Sequence, residues 1–180
     1  MRVFIAFLRG INVGGHHKIK MTDLQNTLSK LGYKNVQTYL QSGNVIFEFS
    51  DANPLELQDQ IAAAILSDFG HKIKVIVLSR EHFMKAYKHL PSFDETDSEN
   101  KSYVVFLDRK ANPDVFLEIK NAPDHKEKMI LNDQIIYVHY SNGYGNSKIN
   151  NNFFERKLNL VATTRNRRTV RNLFERLTKM

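Results

Sequence analysis

Gly10-Ile-Asn-Val-Gly-Gly15 follows directly on an apolar run, and the backbone amides of such a glycine-rich loop can cradle an anion. Arg9 and Asn12 are the side chains placed to assist. The Gly10-x-x-x-x-Gly15 spacing is that of a phosphate loop. However, His16-His17 stand where that chemistry needs a lysine and a hydroxyl to reach phosphate and magnesium, so nucleotide hydrolysis is excluded. A second polar group, Ser42 and Asn44, sits in the glycine-containing turn Gln41-Ser-Gly-Asn44. A third lies near the carboxyl end, where Asn152, Arg165, Asn166, Arg168 and Arg171 are candidate ligands for a phosphate-bearing molecule. Glu155, beside them, is the candidate general acid or base if the chain acts on a small anionic metabolite that Arg9 and Arg165 would orient.

Charge favours the binding reading. The chain carries 26 Lys and Arg against 19 Asp and Glu, a net +7. Residues 148–180 hold nine of those cations and two of the acids, so they account for the whole excess, and residues 1–147 sum to zero. Asymmetry of this kind is the electrostatic footprint of an anionic partner. In the last helix, Val170, Leu173, Phe174 and Leu177 make an i, i+3, i+4, i+7 stripe, and Arg168, Arg171, Arg176 and Lys179 take the remaining arc. Such a face grips phosphates without regard to sequence.

Other chemistries are poorly served. There is no cysteine, which removes disulfides, thiolate metal sites and thiol nucleophiles. The seven histidines form no zincin pattern, so no metal is expected, and no cofactor is expected either. No Gly-x-Ser-x-Gly elbow occurs. No apolar run approaches the length of a membrane span, and the default is a soluble cytoplasmic protein with no membrane partner.

The elements that must position these groups alternate clearly at first. Val3–Leu8 is an apolar strand, and Thr22-x-x-Gln25 predicts a capping box ahead of Leu24, Leu28 and Leu31. Val36–Leu40 and Val45–Phe49 read as a hairpin, and Asn53-Pro54 opens a helix that Gly70 stops. Lys72–Leu78 closes the unit. The order βαββαβ with right-handed crossovers predicts a ferredoxin-like plait, an α+β fold, over residues 1–78. In it, the loop after the first strand and the turn between the second and third are expected at opposite ends of the sheet. The third strand lacks the stacking aromatics of an RNA-recognition domain, and Phe47 and Phe49 read as core.

Residues 79–180 repeat the theme less cleanly: a helix capped by Ser79, a solvated acidic loop over 92–100, a strand at Tyr103–Leu107, and a helix opened by Asn112-Pro113. A hairpin about Asn132-Asp133, a helix near 151–158, a short strand at 160–163 and the final helix follow. The expectation is a degenerate second plait with extra carboxyl-terminal helices.

Three blocks, Leu8–Gly15, Thr38–Phe47 and Asn151–Leu158 continuing to Ala162–Asn166 and Arg168–Val170, resemble the domain-of-unknown-function 1697 family. The resemblance implies tandem ferredoxin-like plaits in a soluble bacterial-type protein and carries no activity with it. Members often have lysine where His16 stands and tryptophan where Arg167 stands, so a ligand touching those positions would meet altered groups here. The reading is non-catalytic binding of nucleic acid or a nucleotide through the basic carboxyl-terminal segment. The alternatives are an enzyme for a small anionic metabolite and a module that pairs with proteins through its sheets.

Overall fold

The computed structural model describes residues 1–50, 52–93, 99–123 and 125–180. Two units, Met1–Met84 and Lys85–Met180, each hold their own sheet. The first contains β1 (Arg2–Leu8), α1 (Met21–Lys30), β2 (Lys34–Tyr39), β3 (Asn44–Phe49), α2 (Pro54–Phe69) and β4 (Val75–Ser79). Its strand order is β2-β3-β1-β4, antiparallel throughout, as a ferredoxin-like plait requires.

Local chemistry explains most of the boundaries. Asn53 Oδ1 accepts the Leu55 amide hydrogen at 3.0 Å, Pro54 occupies the first turn, and Gly70 ends α2 at φ 69°. The expected capping box does not form: α1 starts at Met21 behind Lys20, with no side-chain cap, and Gln25 Nε2 instead donates to Val36 O at 3.4 Å. Tying α1 to β2 thus takes precedence over capping the helix.

Leu24, Leu28, Leu57, Ile61 and Ile65 cover one face of the sheet, above Phe4, Ala6, Val45 and Phe47. Phe47 stacks on Tyr33 with ring centroids 4.5 Å apart and on Phe4 at 5.7 Å, which confirms its place in the core. The other face, with Ile5, Phe7, Ile46, Ile76 and Leu78, is buried as well. Phe83 packs there on Phe7 from α3 (Arg80–Lys88), whose amino end is held by Ser79 Oγ accepting from His82 N.

The second unit comprises β5 (Ser102–Leu107), α4 (Pro113–Lys120), β6 (Lys128–Asn132), β7 (Ile135–His139), α5 (Asn151–Leu158), β8 (Ala162–Asn166) and α6 (Arg167–Thr178). Its order, β6-β7-β5-β8, repeats the first strand for strand. The plait is therefore complete, and α6 follows its last strand. The final strand runs farther than the sequence suggested, because Thr164, Arg165 and Asn166 pair with Val105, Val104 and Tyr103. Of the acidic loop, Asp94, Glu95 and Asp97 lie outside the described residues.

Two buried phenols make a pH prediction. Burial raises Tyr33 and Tyr137 from 10 to about 12, and Tyr137 Oη donates to Ala86 O at 2.8 Å. The folded state holds these protons more tightly than the unfolded chain does. Their contribution is therefore intact below the unfolded value of about 10 and is lost as pH climbs through 12. Burial acts on Arg165 in the opposite sense, drawing it down to about 10, so the loss is best read as a difference between variants. Urea denaturation of Tyr137→Phe should show a fall in stability between pH 10 and 12 that is smaller than wild type by roughly 2 kcal/mol.

Candidate anion-binding site

Three connections of the first unit meet at the end of the sheet where β1 stops. Leu8 N donates to Gly43 O at 2.8 Å, and Arg9 N donates to Lys74 O at 2.9 Å. Asn12 joins two of the three. Its Nδ2 donates to Ile19 O and to Gln41 O, both at 2.9 Å, while Oδ1 accepts from Ile19 N at 2.9 Å. The expectation that the first loop and the β2–β3 turn lie at opposite ends is thus corrected. A βαβ crossover makes β2 parallel to β1, so both strands finish at the same end, and β4 begins there.

The loop itself is a tight fold-back. His16 N donates to Val13 O at 3.0 Å and Asn12 N to His17 O at 3.2 Å, through Gly14 and Gly15 at φ 58° and 81°. Asn12 and His17 also sit in the left-handed region, at 54° and 45°. Non-glycine residues there are uncommon and concentrate at ligand clamps. His17 meets His71 edge to face with ring centroids 5.2 Å apart.

These segments carry one sign of charge. Residues 9–20, 40–44 and 70–74 contain Arg9, Lys18, Lys20, Lys72 and Lys74 with His16, His17 and His71, and no aspartate or glutamate. The four lysines and the first two histidines are exposed. The nearest carboxylates along the chain are Asp23, in the first turn of α1, and Asp68, which accepts from Thr27 Oγ1 at 2.6 Å. The zero net charge of residues 1–147 hides this, because the balancing acids lie in other segments of the chain.

The second unit supplies an internal comparison. Leu107 N donates to Gln134 O at 3.0 Å and Asp108 N to Val161 O at 3.1 Å, the same two bonds at the same end of the sheet. Asp108 stands where Arg9 does. Charges there are matched: Arg109 lies 3.5 Å from Asp108, and Lys110 lies 3.0 Å from Asp133. The fold closes this end with paired charges in the second unit, so the acid-free composition of the first unit's connections is not a requirement of the architecture.

The candidate residues separate accordingly. Arg9 and Asn12 belong to the cluster, although Asn12 serves it as a clasp, since its amide is committed to backbone. Ser42 and Asn44 reinforce the turn, where Asn44 is fully buried and donates to Tyr39 O at 2.7 Å and Ser42 Oγ at 3.2 Å. Asn44 is therefore corrected from ligand to turn support. Asn152 is exposed on α5. Asn166 caps α6 by accepting from Thr169 N at 2.8 Å.

Arg165 is buried in β8, where its guanidinium donates to Thr163 Oγ1 at 2.8 Å and Thr164 O at 3.0 Å, so it is not held outward as the binding reading supposed. Arg171 is paired with Glu99 and lies 3.9 Å from Glu175, whereas Arg168 is exposed. Glu155 Oε1 accepts from Ala162 N at 3.2 Å and braces α5 against β8. Sequence reasoning missed Lys18, Lys20, His71, Lys72 and Lys74 as partners of Arg9. The signal was their coincidence at strand ends in a plait, which a sum of charge along the chain cannot register.

Among the described residues, no group of three or more His, Asp or Glu could hold a metal ion, and no helix is long and apolar enough to cross a membrane. The family profile described as protein of unknown function (DUF1697) matches residues 1–137. A conserved bacterial protein from Streptococcus pneumoniae has a solved structure that matches with a TM-score of 0.76 at 22% identity, covering 98% of either chain. That likeness establishes the fold. No curated protein matches the chain.

Proposed function

Since the chain belongs to the DUF1697 family, whose function is unknown, we propose from the site itself that the protein binds a phosphate-bearing ligand, nucleic acid or nucleotide, without catalysis. The observation that supports this is the exposed Lys18, Lys20 and Lys72 on connections that contain no carboxylate, set against the charge-matched end of the second sheet. These lysines sit on short, mutually hydrogen-bonded connections at one end of the sheet, with the exposed His16 and His17 beside them. Phosphate contacts of this kind position a polyanion without reading bases. The exposed arc of α6, with Arg168, Arg176 and Lys179, is a second cationic face.

Fluorescence anisotropy with labelled random-sequence single- and double-stranded oligonucleotides tests the reading. Log K should fall by roughly 0.7–0.9 per phosphate contact per log unit of salt. Lys18→Gln, Lys20→Gln and Lys72→Gln combined should reduce that slope by ~2–3, whereas Arg109→Gln with Lys110→Gln should leave it unchanged. Arg168→Gln with Lys179→Gln apportions the remainder. Absence of binding at low salt ends the proposal.

A further inference from the structure

We propose that the second unit holds a binding site for a divalent first-row metal ion of the zinc class, formed by His125 Nδ1 and Glu127 Oε2. The inference stands apart from the phosphate reading, whose lysines belong to the first unit.

A buried polar atom that the protein leaves unused carries the proposal. The His125 side chain is only 5% exposed, and its Nδ1 has no hydrogen-bond partner. Nε2, across the ring, lies 2.7 Å from Ile119 O, which can only accept, so Nε2 carries the hydrogen and Nδ1 the lone pair. Buried polar atoms are nearly always satisfied. Glu127 Oε2 is 3.7 Å from Nδ1. That separation decides what fits between them. It is too long for a hydrogen bond. A water or ammonium bridging both atoms at hydrogen-bond distance would hold them about 4.6 Å apart at a tetrahedral angle. A metal ion ~2.1 Å from each would hold them ~3.4 Å apart, within a few tenths of an ångström of the separation found.

The outer bonds are those of a ligand pair. A ligating histidine donates its other N–H to a carbonyl or carboxylate, as His125 does to Ile119. Glu127 is fixed as well. Its Oε1 accepts from Ser147 Oγ at 2.6 Å and its Oε2 from Lys126 N at 3.0 Å, while Ser147 Oγ accepts from Ile149 N at 3.0 Å. The pair lines a cavity of about 230 Å³ with Asn142, Asn146, Lys126 and Lys148, which leaves room for water to complete the shell. Both lysines are exposed and would favour an anion among those outer ligands.

A plait does not require this arrangement. The α4–β6 connection spans residues 121–127 and the β7–α5 connection residues 140–150, seven and eleven residues. Their counterparts in the first unit, 31–33 and 50–53, have three and four. The added length is specific to the second unit, and His125, Glu127 and Ser147 all lie on it. Two protein ligands make an exchangeable site, and their i, i+2 spacing lacks the helical pattern by which such pairs are found in a sequence.

The probe is Zn²⁺ alone, titrated by calorimetry into the full, untagged chain in phosphate-free buffer. His125→Gln and Glu127→Gln should each weaken binding at least tenfold, the loss that even an outer partner of a ligand causes. His17→Asn with His71→Asn, which removes the paired rings of the first unit, should leave this affinity unchanged. Glu127→Gln keeps an acceptor for Ser147, so it decides the matter if circular dichroism shows that His125→Gln fails to fold. In long-range ¹H–¹⁵N spectra of the wild type, Zn²⁺ should shift the His125 Nδ1 resonance and leave the Nε2 hydrogen in place. Absence of Zn²⁺ binding, binding that survives Glu127→Gln, or a shift confined to other histidines overturns the proposal. None of these outcomes bears on oligonucleotide binding, so the phosphate reading stands or falls separately.

Discussion

Gly43→Ala is expected to destabilise the first unit by about 3–4 kcal/mol. Gly43 sits at φ 75°, and a Cβ built there would lie 2.7 Å from Leu8 Cβ and 2.8 Å from Ile11 Cδ1. Left-handed backbone costs an L-residue about 1–2 kcal/mol, and overpacking a filled core costs typically 1–3 kcal/mol more. Neither neighbour can yield easily. Leu8 is the last residue of β1, Ile11 is buried, and the Leu8 amide is bonded to the Gly43 carbonyl. Gly10→Ala is the comparison, at φ 72° with nothing within 4 Å of the added carbon. It should show the conformational cost alone, about 1–2 kcal/mol. Chemical denaturation of the two variants separates the terms, and equal losses would refute the packing argument.

Asn12→Ala should unfasten the loop, at a cost of roughly 2–4 kcal/mol. The variant leaves the Ile19 and Gln41 carbonyls and the Ile19 amide without the partners they have now, and unmade bonds at a partly buried site cost about 1–3 kcal/mol each before water re-enters. Asparagine also tolerates the left-handed conformation better than alanine does. Hydrogen exchange at Ile19 is the direct reading, and its protection should fall by a factor of ten or more. Asn12→Asp keeps the acceptor for the Ile19 amide and loses both donations, so it should fall between alanine and wild type. Oligonucleotide binding should weaken in both variants, because cations on an unfastened loop must be ordered again on binding, and most in Asn12→Asp, whose carboxylate adds an opposing charge among them.

Strands and caps were legible from the sequence where the signal was local. Asn53-Pro54, Gly70, Asn112-Pro113 and the Asn132-Asp133 turn act within a few residues, and each appears where the residues placed it. Signals that compete with a distant partner were misread. Gln25 belongs to a capping box by spacing and to β2 by contact, and contact prevailed. Thr164 to Asn166 look like a polar loop, yet Thr163 and Thr164 are β-branched and the neighbouring strand supplies a full ladder.

The charged site was misjudged for a related reason. Net charge counted along the chain singles out residues 148–180, but folding takes Arg165 inside and gives Arg171 to Glu99. The same folding gathers Arg9, Lys18 and Lys72 from segments about sixty residues apart in number, none of which contains a carboxylate. Topology could have supplied this. Once βαββαβ is accepted, the starts and ends of strands that share a sheet edge are fixed, and the composition of those connections can be read as one surface.

A scaffold present in duplicate gives natural variation two places to act. Because each half completes its own ladder of strands, the connections at the rim of one can drift in polarity while the other keeps a neutral rim and a sound interior. Exchange of segment 9–20 with its counterpart after β5 would then move the cationic rim from one half to the other within a single polypeptide, a kind of transplant that a lone plait could not host.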